Sequence, residues 1–201
     1  MKVHFLSLIA FVIAGTATAQ NEPAPGEVRI SEVSYEGSGC TPGSAADMVS
    51  PDGRAFTLFF SDFGITTEQH GVLRKQCRVA MTIEAPIGFE FALVGLDYRG
   101  YMDITKKAML KFSSRMSFHN GNGGQKIFDF KVKGPLADEF FFPVRTGDQS
   151  KWSGCANRDR PMVLTTEAAL QSATGPGSLV TLDSMDGEFS QRYQLQWRRC
   201  R

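Results

Sequence analysis

The chain has 201 residues, 42% of them hydrophobic and 11% aromatic, with 22 lysines and arginines against 21 aspartates and glutamates. That length suits one domain with a real core. A balance so near neutral, with no run of lysine or arginine, supplies little of the field that recruits nucleic acid or an anionic membrane, so neither is expected as a partner.

Residues Met1 to Ala19 begin with a basic Lys2, continue as an apolar segment from Phe5 to Ala14, and end in Gly15-Thr16-Ala17-Thr18-Ala19. This is the small-residue pattern that a signal peptidase reads, and it predicts a leader over 1–19, cleaved after Ala19. The apolar part is about half of the roughly 20 residues that a spanning helix needs, so no membrane span is expected after cleavage. Gln20 stands where a lipid anchor would need cysteine, and the chain contains no Asn-x-Ser/Thr acceptor. The predicted destination is secreted or periplasmic. Losing the leader removes Lys2 and leaves 21 basic side chains against 21 acidic ones.

All four cysteines, Cys40, Cys77, Cys155 and Cys200, lie in the exported part, and an even count in an oxidising compartment predicts two disulfides. Three pairings are open. Joining neighbours along the chain, Cys40 with Cys77 and Cys155 with Cys200, is favoured, because it pins the N-terminal loop and the last strand separately. Each bridge closes about 40 residues, worth roughly 4 kcal/mol in the chain-entropy model. Zinc is disfavoured, since no Cys-x-x-Cys occurs and only His70 and His119 remain after cleavage. No cofactor is expected.

Residues 20–27, with Pro23 and Pro25, predict a flexible leader into a single domain over 28–201. The first strand is expected over Val28–Tyr35. From Gly37 to Phe63, a cysteine among glycines, two proline turns and the run Ala55-Phe56-Thr57-Leu58-Phe59-Phe60 predict a pinned loop feeding a buried strand around which the rest packs. Cys77, Val79, Met81 and Ile83 share one face of a half-buried strand. Phe89, Phe91 and Leu93, with Ala92 and Val94 behind them, read as a central strand.

Ala108, Leu110 and Phe112 form a further stripe, and Met116 and Phe118 a shorter one. Asn120 to Gly124 suits a tight hairpin, after which Phe128, Phe130 and Val132 face in and Asp129, Lys131 and Lys133 face out. Phe140-Phe141-Phe142-Pro143 is expected in the core. Residues 145–161 read as a long bridge-anchored loop. Met162 to Leu170 alternates, but Glu167-Ala168-Ala169-Leu170 leaves a short helix open. Leu179–Leu182 and a strand carrying Tyr193, Leu195 and Trp197 should form a hairpin through the turn at Asp183–Gly187. Nine or ten short strands without a long helix predict an all-β fold, a single antiparallel β-sandwich, with a jelly-roll order among the open topologies.

Several of these pieces, in this order and spacing, resemble the domain-of-unknown-function family 4360. They are Gly37-Ser38-Gly39-Cys40-x-Pro42-Gly43-Ser44, Ser50-Pro51-Asp52-Gly53, Phe56-Thr57-Leu58-x-Phe60, Cys77, Pro86-x-Gly88-Phe89, Asp97-Tyr98-Arg99-Gly100, Gly134-Pro135, Trp152-Ser153-x-Cys155 and Gln196-Trp197-Arg198-x-Cys200. The resemblance implies a small secreted four-cysteine protein of fungi or bacteria with no established activity or catalytic residue. Cys155-Ala156 departs from the expected cysteine-glycine.

Asp97-Tyr98-Arg99-Gly100-Tyr101 is the candidate ligand site: aromatic faces can stack on sugar rings while Asp97 and Arg99 bond hydroxyls. Its structural reading is a pair of half-buried tyrosines with Arg99 tied to a carboxylate. Asp47, Asp62, Glu84, Glu90, Asp97 and Asp103 could supply a glycosidase acid and base, which requires two carboxyls about 5 to 10 Å apart. No Gly-x-Ser-x-Gly elbow is present. Asp183-Ser184-Met185-Asp186-Gly187-Glu188 has the composition of a calcium loop, yet lacks the alternating acid spacing, and a hairpin turn explains it. The expected function is extracellular binding or structural support, with carbohydrate or another protein as partner. The alternative is a secreted glycan hydrolase with paired carboxylates; a secreted effector or inhibitor aimed at another organism also remains open.

Overall fold

The computed structural model describes residues 22–24, 27–51, 55–67, 71–118, 124–147, 150–155, 161–172, 178–181 and 189–200. The expected leader over 1–19, His70, His119, the hairpin turn at 120–123 and the acidic turn at 183–188 lie outside these residues. The described residues carry twelve strands and no helix. They are β1 (Arg29–Glu36), β2 (Ala45–Val49), β3 (Ala55–Phe60), β4 (Gly64–Thr67), β5 (Gly71–Glu84), β6 (Phe89–Ile104), β7 (Met109–Phe118), β8 (Gln125–Lys133), β9 (Leu136–Arg145), β10 (Met162–Ser172), β11 (Ser178–Thr181) and β12 (Phe189–Arg199).

Two antiparallel sheets form a β-sandwich. One has five strands in the order β1-β5-β10-β7-β8; the other has seven, with β2, β3 and β12 leading to β6, which also pairs β9 and β11. The inner residues of both sheets join one core, in which Tyr98 packs edge-on against Phe112 at 4.9 Å and Phe91 against Phe118 at 5.7 Å across the layers. Alternation sets which side chains reach it: β3 buries Phe56, Leu58 and Phe60, and β7 buries Leu110, Phe112, Ser114 and Met116.

Strand β6, rather than β3, is the hub. One edge pairs β9 over Gly95–Ile104; the other pairs β12 over Phe89–Arg99 and then β11 over Tyr101–Asp103. The expected hairpin between the last two strands is therefore corrected: β11 and β12 lie end to end along the same edge, because sixteen residues of β6 give both a partner. Their outer neighbours β4 and β3 follow suit.

Residues 162–172 are strand, not helix. They pair with β5 on one side and β7 on the other, and this two-sided ladder overrides the modest helical preference of Glu167-Ala168-Ala169-Leu170. The two stripes around Leu110 and Phe118 belong to one strand, and of the phenylalanine run in β9, Phe140 is buried while Phe141 turns outward, 50% exposed. Cys40 joins Cys77 and Cys155 joins Cys200, with Cα atoms 5.4 and 5.7 Å apart.

Candidate functional site

The candidate residues sit at the middle of β6, where the strand changes phase. Gln194 of β12 lies opposite Gly95 while Leu195 lies opposite Leu93, so Val94 is an extra residue in the ladder. Before it, Phe91 and Leu93 face the core; after it, Leu96 and Tyr98 do. The bulge thereby puts Glu90 and Asp97, seven positions apart, on the same outer face. At about 3.3 Å per residue they stand on the order of 20 Å apart.

The four predicted ligand residues divide between two sides of the sheet. Tyr98 is fully buried and leaves the expected surface site. Its hydroxyl bonds Ser114 of β7 and lies 3.4 Å from Thr166 of β10, and Ser114 and Thr166 are 3.2 Å apart, so three hydroxyls satisfy one another between the layers. Burial pushes the Tyr98 phenol far above its ordinary value of 10, against a smaller opposite effect of those hydrogen bonds. Asp97, Arg99 and Tyr101 alternate on the outer face. Asp97 accepts Arg145 at 2.6 Å and Gln194 Nε2 at 3.1 Å. Glycine at 95 permits this, since a Cβ there would come within 2.7 Å of Gln194 Oε1. Arg99 lies over the Phe141 ring, 4.9 Å from its centroid, and Tyr101 is half-buried.

A second cluster at the start of β6 was not predicted. Where β9 leaves the edge of β6, the chain returns to it: Trp152 bridges Ala92, and Ser153 N donates to Phe91 O at 2.8 Å. The Arg198 guanidinium then covers the Trp152 ring at 3.9 Å and donates to Glu90 at 2.6 Å, and Glu90 also accepts Gly154 N at 3.1 Å. The signal was in the sequence, because Trp152 and Arg198 precede the two cysteines of one bridge by three and two positions. The outer face of β6 therefore carries two arginine-clamped carboxylates and half-exposed aromatic rings.

The other acids considered do not join them: Glu84 pairs with Arg29 at 2.9 Å, Asp62 takes the Thr41 hydroxyl, and Asp47 and Asp103 lie on β2 and the far end of β6. Among the described residues no group of three histidine, cysteine, aspartate or glutamate side chains is placed to hold a metal. No helix among them is long and apolar enough to cross a membrane.

The model of a domain of unknown function, DUF4360, matches residues 26–200. The chain belongs to that family. It is 26% identical over 187 residues to an uncharacterized secreted protein of Arthroderma benhamiae, covering 90% of this chain and 75% of that one. Solved structures with some likeness include TmCBM61 in complex with beta-1,4-galactotriose, at 8% identity and a TM-score of 0.26 over 85% of this chain and 90% of that one. A family 11 carbohydrate-binding module from Clostridium thermocellum reaches 10% and 0.26 over 83% and 95%, and Broad Bean Stain Virus 11% and 0.31 over 90% and 93%. Overlaps of this size carry no argument about ligands.

Proposed function

We propose that the protein is exported, loses residues 1–19, and acts outside the cytoplasm as a single-domain binding protein over 28–201. Its ligand, a carbohydrate or another extracellular protein, lies on the outer face of the seven-stranded sheet. The secreted relative and the two bridges support the location. The observation that carries the rest is the state of Glu90 and Asp97. Each is spent on an arginine, and they stand on the order of 20 Å apart, well beyond the roughly 5 to 10 Å that a glycosidase pair needs. What the face offers is a rigid set of tryptophan, tyrosine, phenylalanine and arginine, the side chains that dominate recognition surfaces.

The test is a glycan array and a pull-down with the cleaved, oxidised protein, repeated with Y101A/F141A. The expected result is a defined ligand whose affinity falls at least tenfold in the double variant. Unchanged binding by that variant, or cleavage of the bound glycan by the wild type, overturns the reading.

A further inference from the structure

On the outer face of the five-stranded sheet, the β7–β8 hairpin breaks a rule that the other strand pairs among the described residues keep. Lys111 of β7 lies directly opposite Lys131 of β8, and Arg115 lies directly opposite Lys126, all four exposed. Like charges facing each other across an antiparallel pair are destabilising. With Lys133, this hairpin presents five cationic side chains against the single carboxylate of Asp129. Asp129 is itself held below its ordinary value, first by a hydrogen bond from Lys126 and then, against an opposing effect of burial, by the charges of Lys126, Lys131 and Lys111. The next carboxylate inward, Glu167 of β10, is taken by Arg74.

Protection of the sheet edge explains lysines on β8, which is the outermost strand. It does not explain Lys111 and Arg115, which sit one strand in. At the end of the same stripe the turns after β6 and β8 meet around a cavity of about 500 Å3, lined by Lys106, Lys107 and Lys133 with Met109, Gln171 and Pro135. That volume lies within the roughly 300–1,000 Å3 of small-molecule sites. Gly134 lets the two turns close on each other, since a Cβ there would fall 2.1 Å from Thr105 O. Lys107 occupies a left-handed backbone position, φ 69°, where glycine would be the relaxed choice.

We infer that this face is a second binding site, for an acidic polysaccharide that runs along the β7–β8 hairpin and places a charged sugar in the lysine-lined cavity. Cations face each other about 5 Å apart across the hairpin; along it Lys133 and Lys131 stand about 7 Å apart, and the Arg115–Lys126 row lies about 13 Å beyond the Lys111–Lys131 row, past Asp129, so that a chain with one carboxylate per sugar meets two cationic stations. Nucleic acid fits less well, because β7 and β8 carry no aromatic side chain on this face to stack a base, and the face is a flat sheet rather than an element that enters a groove. An anionic membrane would need exposed apolar anchors among the cations, and the half-buried Met109 is a poor one. The site uses different residues from the proposed ligand face on the other sheet, so either can fail alone.

The test is binding of the exported, oxidised protein to polygalacturonate, with neutral dextran, double-stranded DNA and phosphatidylserine vesicles as competitors, at 50 and 200 mM salt. The expected result is binding to polygalacturonate that weakens at least tenfold over that salt range. K111Q/K131Q/K133Q should weaken it at least tenfold at low salt and flatten the salt dependence, whereas Y101A/F141A should leave it unchanged. Because the triple variant removes a repulsion, its melting temperature should hold or rise. Unchanged binding by the triple variant overturns the inference, as does equal binding to dextran, or binding to DNA or vesicles as tight as to polygalacturonate.

Discussion

Two parts of the outer surface, the β6 region of the seven-stranded sheet and the β7–β8 hairpin of the five-stranded one, handle charge in opposite ways. On the seven-stranded sheet, Glu90 and Asp97 are nearly buried, with side chains 9% and 11% exposed, and each holds an arginine at 2.6 Å. On the five-stranded sheet, Lys111 faces Lys131 and Arg115 faces Lys126. The first arrangement holds structure together, because Glu90 ties the returning strap at Gly154 to Arg198 of β12. The second spends stability, and such local conflicts in a folded protein mark places kept for another purpose. Strand register thus sets a neutralised face at β6 against a cationic one at the β7–β8 hairpin, while Arg29, Arg74 and Arg78 elsewhere on the five-stranded sheet are paired with Glu84, Glu167 and Glu36.

The largest effect should come from breaking the neutralised face. E90Q keeps the shape but removes the charge that holds Arg198, and should cost about 1–3 kcal/mol, the lower part of that range being favoured because Arg198 is half exposed. Urea unfolding at constant m reads it. If E90Q costs no more than removal of an exposed lysine charge, K131Q, the contrast between the faces is wrong.

A smaller effect tests what the two faces share. Tyr98 reaches from β6 to Ser114 and Thr166 of the other sheet, so Y98F should cost about 1 kcal/mol while leaving those two hydroxyls bonded to each other. Burial raises the phenols of Tyr98 and Tyr193 above their ordinary value of 10. A raised acid favours its neutral form in the fold, so the stability it contributes is complete below pH 10 and is lost as pH rises above it. Above pH 10 the free energy of unfolding should fall by about 1.4 kcal/mol per pH unit for each tyrosine, and Y98F should make that fall shallower. An identical alkaline slope in Y98F would sink the assignment.

The parts of this fold that could be read from the chain are the local ones. Strand alternation placed Leu110, Phe112, Phe128 and Phe130 correctly, because a period of two needs no partner to be seen. The even count of four cysteines pointed to two bridges, because a count needs no knowledge of which segments meet. What escaped was set by pairing between distant segments. The phase change at Val94 depends on Leu195 meeting Leu93, and it alone sends Tyr98 inward and Asp97 outward. The end-to-end placement of β11 and β12 depends on the length of β6. The cationic face was invisible as a run, since its residues alternate with apolar ones along β7 and β8 and meet only through register.

The smallest effect sharpens the contrast from the cationic side. K131E replaces a like pair with an opposite one and should stabilise the fold by about 0.2–1 kcal/mol. The same hairpin should respond to acid through Asp129, whose carboxyl is held below its ordinary value of 3.8, first by the Lys126 hydrogen bond and then by the charges of Lys126, Lys131 and Lys111. A depressed acid favours its charged form in the fold, so its contribution is present above about pH 3.8 and disappears as pH falls through the folded value. Removing the two more distant charges with K111Q/K131Q should therefore move the Asp129 midpoint part of the way back toward 3.8, while the hydrogen bond and charge of Lys126 keep it from returning fully. Side-chain carboxyl NMR reads the midpoint directly. A midpoint that does not move would mean that Lys111 and Lys131 are screened from Asp129 by solvent, and so from each other, and the repulsion that distinguishes this face would be too weak to matter.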